Sequence, residues 1–131
     1  MAAQDQIIGA LCAWRENRSG GVPGLTSVLN VLVNRAKQRG TSIYAEAVRR
    51  LQFSSMTAPG DPNLVLFPTV LDPEWLTALS LASKAASGLL DDITGGATFY
   101  YAASMPHPPI WASSMIPTVT IAGQHFFCPK A

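Results

Sequence analysis

Ionisable groups are scarce in this chain: only 13% of its 131 residues are charged, two are histidine and two are cysteine. Nine Lys and Arg against eight Asp and Glu leave a net charge of +1. That is no electrostatic footprint for a phosphate backbone, so nucleic acid is not an expected partner. So few His and Cys, at no recognisable ligand spacing, give no reason to expect a metal or a cofactor. Long apolar runs are lacking too, and no stretch can span a bilayer. The first six residues have no basic region, and the apolar run at 7–13 is interrupted by Gly9 and followed by Arg15 and Glu16. No secretory signal is read there, so synthesis in the cytoplasm without membrane insertion is expected. What is present is 48% apolar residues, enough for one domain over 1–131 that buries roughly two thirds of its unfolded surface without a staple. Cys12 and Cys128 accordingly read as buried thiols.

Apolar spacing predicts a first helix over about 5–17, with Ile7, Ile8, Leu11 and Cys12 on one face, broken by Gly20 and Gly21. A second helix over about 24–38 carries Leu25, Val28, Leu29, Leu32 and Ala36 at i, i+3, i+4, i+7 and stops at Gly40. Val31 and Val33 widen its apolar face, so it is expected to be central. A short third helix over about 42–51 carries Ile43, Ala47, Val48 and Leu51. Residues 52–71 hold Pro59, Pro62 and Pro68 without a period and read as a long ordered loop. Asp72-Pro73-Glu74 is a helix start, with Trp75, Leu79, Ala82 and Ala86 as packing stripe and Gly88 as stop. β-branched and aromatic residues then predict strands over 98–102 and 118–127, the second with Val119 and Ile121 on one face and a kink or turn at Gly123. Helices first and a small sheet last make an α+β domain.

Chemistry that needs a carboxylate must choose among eight acids. Asp72 and Glu74 start a helix, Asp91 and Asp92 lie in a turn, Asp5 is near a terminus, and Glu46 faces solvent or pairs with Arg49 or Arg50. Asp61 sits in a Gly-Asp-Pro sequence that reads first as a turn, with a place facing a groove as its alternative. Glu16 differs. It ends an apolar helix beside Trp14, at the border of the buried stripe, where partial desolvation disfavours the ionised form as a general acid requires. The alternative, a carboxylate merely paired with Arg15, Arg18 or Arg35, stays open on position alone.

His125 and Cys128, with Cys12 elsewhere, raise a thiol nucleophile with a histidine base, or part of a zinc site. A structural His125, with a ring nitrogen on a backbone carbonyl, is the simpler reading. Tyr100 and Tyr101 are neighbours on a strand and must point to opposite faces, so one is free to line a surface. Rings with polar tips suit carbohydrate grooves, because sugars present C–H faces to stack on.

The string Glu16 to Gly24, running into Val28-Leu29-Asn30-Val31-Leu32-Val33-Asn34-Arg35, resembles the SleB-like cell wall hydrolase family. The resemblance continues through Gln52-Phe53-Ser54, Gly96-Ala97-Thr98-Phe99-Tyr100-Tyr101 and Ile121-Ala122-Gly123-Gln124-His125-Phe126-Phe127. It implies a lysozyme-like, lytic-transglycosylase-like fold and a peptidoglycan glycosidase cutting between N-acetylmuramic acid and N-acetylglucosamine. The family's catalytic Glu falls on Glu16, with Gln52, Phe53, Ser54, Tyr100, Tyr101 and His125 as substrate-binding candidates. Where the family often carries a second Glu, this chain has Gly20. With one acid, a transglycosylase whose substrate supplies the nucleophile is the expected mechanism; a hydrolytic muramidase, a non-catalytic wall-binding module and a Cys/His amidase are the alternatives. A monomer acting on glycan strands in the manner of a phage endolysin is expected.

Overall fold

A computed structural model describes residues 3–50 and 52–130. Helix α1 (Ala3–Asn17) passes through a 3-10 turn (Arg18–Gly20) into α2 (Gly21–Arg39), followed by α3 (Ile43–Ala47), α4 (Ser54–Thr57), a second 3-10 turn (Pro62–Val65) and α5 (Pro73–Ala86). Strands β1 (Phe99–Ala102), β2 (Met115–Ile121) and β3 (Gln124–Pro129) form an antiparallel sheet in the order β1-β3-β2. The expected α+β architecture, helices first and sheet last, is what forms.

Helix α2 is the central element. Leu25, Val28, Leu29, Val31 and Leu32 are fully buried, each contributing about 1.5–3 kcal/mol of transfer free energy. Gly40, in the left-handed conformation at φ 66°, ends it as expected. Helix α1 packs against α2, α3 and α5; of the expected face, Cys12 is buried in the core and Ile8 and Leu11 pack against it, while Ile7 does not. Ile7 is 48% exposed, whereas Gly9, Ala10, Cys12 and Ala13 are buried. Opposite them α5 presents Ala78, Ala82 and Ala85, also buried. Small side chains on both helices let the backbones approach closely, and a Cβ on Gly9 would meet Ile43 Cγ2 at 2.9 Å. Asp72 caps α5 by accepting from the Glu74 and Trp75 amides, with Pro73 at the first helical position, as the sequence predicts.

Two expectations need correction, and a third is decided between its alternatives. The third helix is shorter than 42–51, and Leu51 lies outside the described residues. Residues 118–127 are not one strand: Ala122 and Gly123, with φ of 47° and 79°, reverse the chain between β2 and β3, a two-residue hairpin turn matching strand twist. Val119 and Ile121 do share a face, paired with Phe126 and Gln124. Glu46 takes the second of its two expected places, paired with Arg49 rather than facing solvent. It is fully buried, bound by Arg49 at 2.8 Å and Thr41 at 2.5 Å, with Arg39 at 3.8 Å. Of the two thiols, Cys12 is buried and Cys128 half-buried, and both are free.

The segment between α4 and α5 is held by polar side chains from α1 and the 3-10 turn after it more than by apolar burial. Arg15 and Arg18 reach it, while Val65, Phe67, Val70 and Leu71 stay exposed. This brings α4 and the second 3-10 turn to the C-terminal end of α1.

Candidate active site

Glu16 is the penultimate residue of α1 and is half-buried between Arg15 and Asn17, both buried. Its Oε2 accepts from Ser55 Oγ at 2.5 Å, and its Oε1 accepts from the Tyr100 hydroxyl. None of the three arginines that could neutralise it does so. Arg15 donates from Nε to the Leu66 carbonyl and from Nη1 to the Ser55 carbonyl, each at 3.1 Å. Arg18 donates from Nη1 to the Trp14 carbonyl at 3.1 Å, closing the end of α1, and from Nη2 to Asn63 Oδ1 at 3.2 Å. Arg35 donates from Nε to the Thr98 carbonyl at 2.6 Å. The ion pairs found among the described residues all belong to Glu46. Glu16 is therefore a carboxyl held by two neutral hydroxyls.

Each hydroxyl is delivered by a distinct local device. In the segment leading into α4, Phe53 and Ser55 are buried and Ser54 is exposed. The short helix thus turns Ser55 inward, and the Arg15 guanidinium anchors its carbonyl. On β1, Tyr100 takes the inner face, its ring tilted against Phe126 at a centroid distance of 5.3 Å. Burial, and then the Glu16 carboxylate, push the Tyr100 phenol well above its ordinary value. It stays protonated and serves as a donor. Burial, then Glu16, likewise hold the Cys12 thiol up, and a thiol so protonated is a poor nucleophile.

Behind the site, Arg35 is 4% exposed, with its guanidinium 5.1 Å from the Phe53 ring centroid and 4.9 Å from that of Phe99. This contact occupies Phe53, which is 2% exposed and stands in the wall of the core, out of reach of a ligand. Gln52 and Ser54 line a cavity of about 440 Å³ together with Arg50 and Thr57. Ser54 Oγ donates to Asp61 Oδ2 at 2.6 Å, and Asp61 also caps the second 3-10 turn. Tyr101 and His125 lie on the other face of the sheet from Tyr100, paired across β1 and β3. There they cluster with Trp111 and Phe127 around a shallow depression of about 420 Å³. His125 Nδ1 shares a hydrogen bond with Thr120 Oγ1 at 2.8 Å, not with the expected backbone carbonyl. His125 and Cys128, three apart on β3, project to opposite faces, so no thiol–imidazole pair forms. Among the described residues no three of His, Cys, Asp and Glu converge as a metal site.

The structure thus joins Glu16 to Tyr100 from the expected set and adds Ser55 and Arg15, which sequence reasoning missed. The adjacent serines after Phe53 were the available signal for Ser55, since a short turn can present only one of them to the helix end. Gly20 has its own steric reason. A Cβ there would meet Asn17 Oδ1 at 2.8 Å and Ala122 Cβ at 2.9 Å, and Asn17 Nδ2 bonds the Ala122 carbonyl at 3.3 Å. The hairpin turn is seated on Gly20, the position where the resemblance leads one to expect a second acid.

No curated protein matches the chain significantly. Among solved structures, the catalytic domain of the germination-specific lytic transglycosylase SleB from Bacillus anthracis is similar, with a TM-score of 0.74 at 19% identity over 98% of this chain and 97% of that one. The catalytic domain of the Bacillus cereus SleB protein gives a TM-score of 0.72 at 22% identity, over 97% of this chain and 91% of that one. These likenesses bear out the expected fold. The family model described as Cell Wall Hydrolase matches residues 20–128, a span that starts just after Glu16 and takes in Ser55 and Tyr100. The chain belongs to the cell wall hydrolase family, enzymes that act on peptidoglycan.

Proposed function

We propose that the protein is a lytic transglycosylase that cuts the glycan between N-acetylmuramic acid and N-acetylglucosamine, with Glu16 as its general acid and then its general base. The observation that carries this reading is the carboxyl of Glu16 held by Ser55 and Tyr100 with no cation on it. A protonated Glu16 donates to the glycosidic oxygen as the bond from that oxygen to the muramic C1 breaks. The resulting carboxylate then accepts the proton of the muramic C6 hydroxyl as its oxygen bonds to C1, closing an anhydro ring. One proton leaves Glu16 and one returns, and no water is consumed.

Ser55 and Tyr100 each donate to one carboxyl oxygen and so hold the side chain in one orientation for both proton transfers. A two-carboxylate glycosidase needs a second acid flanking the bond. At the position where the resemblance leads one to expect it stands Gly20, with no room for a side chain. The Tyr100 phenol, kept protonated, is a neutral oxygen beside the developing positive charge at C1.

The test is Glu16→Gln with purified sacculi. Loss of soluble muropeptide release, with folding and wall binding retained, is the expected result, and full activity would sink the assignment. Mass spectrometry of wild-type products separates the outcomes: anhydro ends lack one water relative to the reducing ends a muramidase leaves.

A further inference from the structure

Phe67 is 70% exposed, yet its ring is not loose. The Arg15 guanidinium carbon lies 4.8 Å from its centroid, and Arg15 itself is only 6% exposed. Three further contacts fix that guanidinium: the Leu66 carbonyl, the Ser55 carbonyl, and Met56 Sδ at 3.6 Å. One face of the ring is thus backed by a buried, immobilised group, and the ring is presented outward. The same Nη1 that contacts Met56 holds the Ser55 carbonyl, and Ser55 Oγ holds Glu16. Ring and carboxyl are therefore tied to one side chain, Arg15, the neighbour of Glu16 on α1.

We propose that Phe67 is a stacking platform for an N-acetylhexosamine ring of the glycan strand, in a subsite beside the one cleaved at Glu16. A pyranose offers an apolar C–H face that fits a flat aromatic surface, and a ring already oriented loses little freedom on binding. Polar groups are carried by the same loop and the end of α1, where Arg18 Nη2 donates to Asn63 Oδ1 at 3.2 Å. The loop's other exposed large apolar residues, Val65, Leu66, Val70 and Leu71, are aliphatic and offer no flat face. This inference rests on the reading of Glu16 as the acid, which places the strand along this end of α1.

The experiment measures turnover of soluble, uncrosslinked glycan strands by Phe67→Ala, Phe67→Leu and Phe67→Trp, with binding of the same strands to Glu16→Gln and to Glu16→Gln/Phe67→Ala. Alanine and leucine should raise KM about 5- to 20-fold with kcat within about twofold, and tryptophan should restore it. Melting temperatures should not move, since the ring is exposed. An unchanged KM in Phe67→Ala, a leucine as good as phenylalanine, or a joint fall in kcat and melting temperature each overturns the platform. If Glu16→Gln binds strands equally well with and without Phe67, the platform fails alone. If Glu16→Gln turns over, it is the acid assignment that fails.

Discussion

Ser55 Oγ donates to Glu16 Oε2 at 2.5 Å, while the Ser55 carbonyl accepts from Arg15 Nη1 at 3.1 Å. Adjacent residues of α1 thus grip both ends of one serine. Ser55→Ala removes a hydrogen bond to a charged acceptor, worth about 1.5–3 kcal/mol. If that bond is made chiefly in the transition state, kcat falls about 10- to 100-fold with KM little changed. Steady-state kinetics on sacculi fragments check this. Threonine keeps the hydroxyl and should retain more activity than alanine, within the limits of a buried site.

Tyr100→Phe isolates the second hydroxyl. The ring keeps its place against Phe126, 5.3 Å away, so the fold and melting temperature should stay close to wild type. The donor to Glu16 Oε1 is lost, and kcat should fall by about 10- to 100-fold, the scale expected for Ser55→Ala. Because the two hydroxyls act on the two oxygens of one carboxylate, the double variant should depart from additivity. Tyr101→Phe, on the opposite face, should leave the rate of the chemical step unchanged.

Strand alternation required Tyr100 and Tyr101 to part company, and they do. Alternation alone could not say which one meets Glu16, because that depends on which face of β1 covers the helices. Helix α2 and the Asp72 cap were legible because their signals are local: a 3.6-residue period, and an Asp-Pro pair. Ser55 was not, because a four-residue helix has no periodicity to read and its orientation is set by Arg15 from another element. Glu16 was legible as a border residue. Its freedom from Arg15, Arg18 and Arg35 was not, since that turns on three carbonyls, of Ser55, Trp14 and Thr98, that no motif marks.

Gly20→Glu tests whether this position can hold a second acid. With Asn17 Oδ1 and Ala122 Cβ both under 3.0 Å from a Cβ at this position, the substitution must displace the hairpin turn. Overpacking of this kind costs about 1–3 kcal/mol. The expected outcome is a lower melting temperature, no gain in rate, and an unaltered ratio of anhydro to reducing ends by mass spectrometry. Gly20→Ala should show the same destabilisation in smaller measure.

Glu46 makes a pH-dependent contribution to stability. Burial opposes its ionisation, but hydrogen bonds from Arg49 and Thr41 outweigh that and hold the carboxyl below the ordinary carboxylate range. Unfolded, it titrates at the ordinary value of a glutamate. A folded value below the unfolded one means the unfolded state binds the proton more readily. The stabilisation is therefore fully present above that unfolded value and is lost as pH falls through the folded one. Glu46→Gln removes the charge from a pair whose arginines are about a third exposed, with side-chain exposures of 34% and 35%, which limits the loss to about 1–3 kcal/mol at neutral pH. Melting curves between pH 7 and pH 3 should show the gap between wild type and Glu46→Gln widest at neutral pH and closing on acidification. A gap that stays constant across that range would mean the carboxyl contributes only its shape.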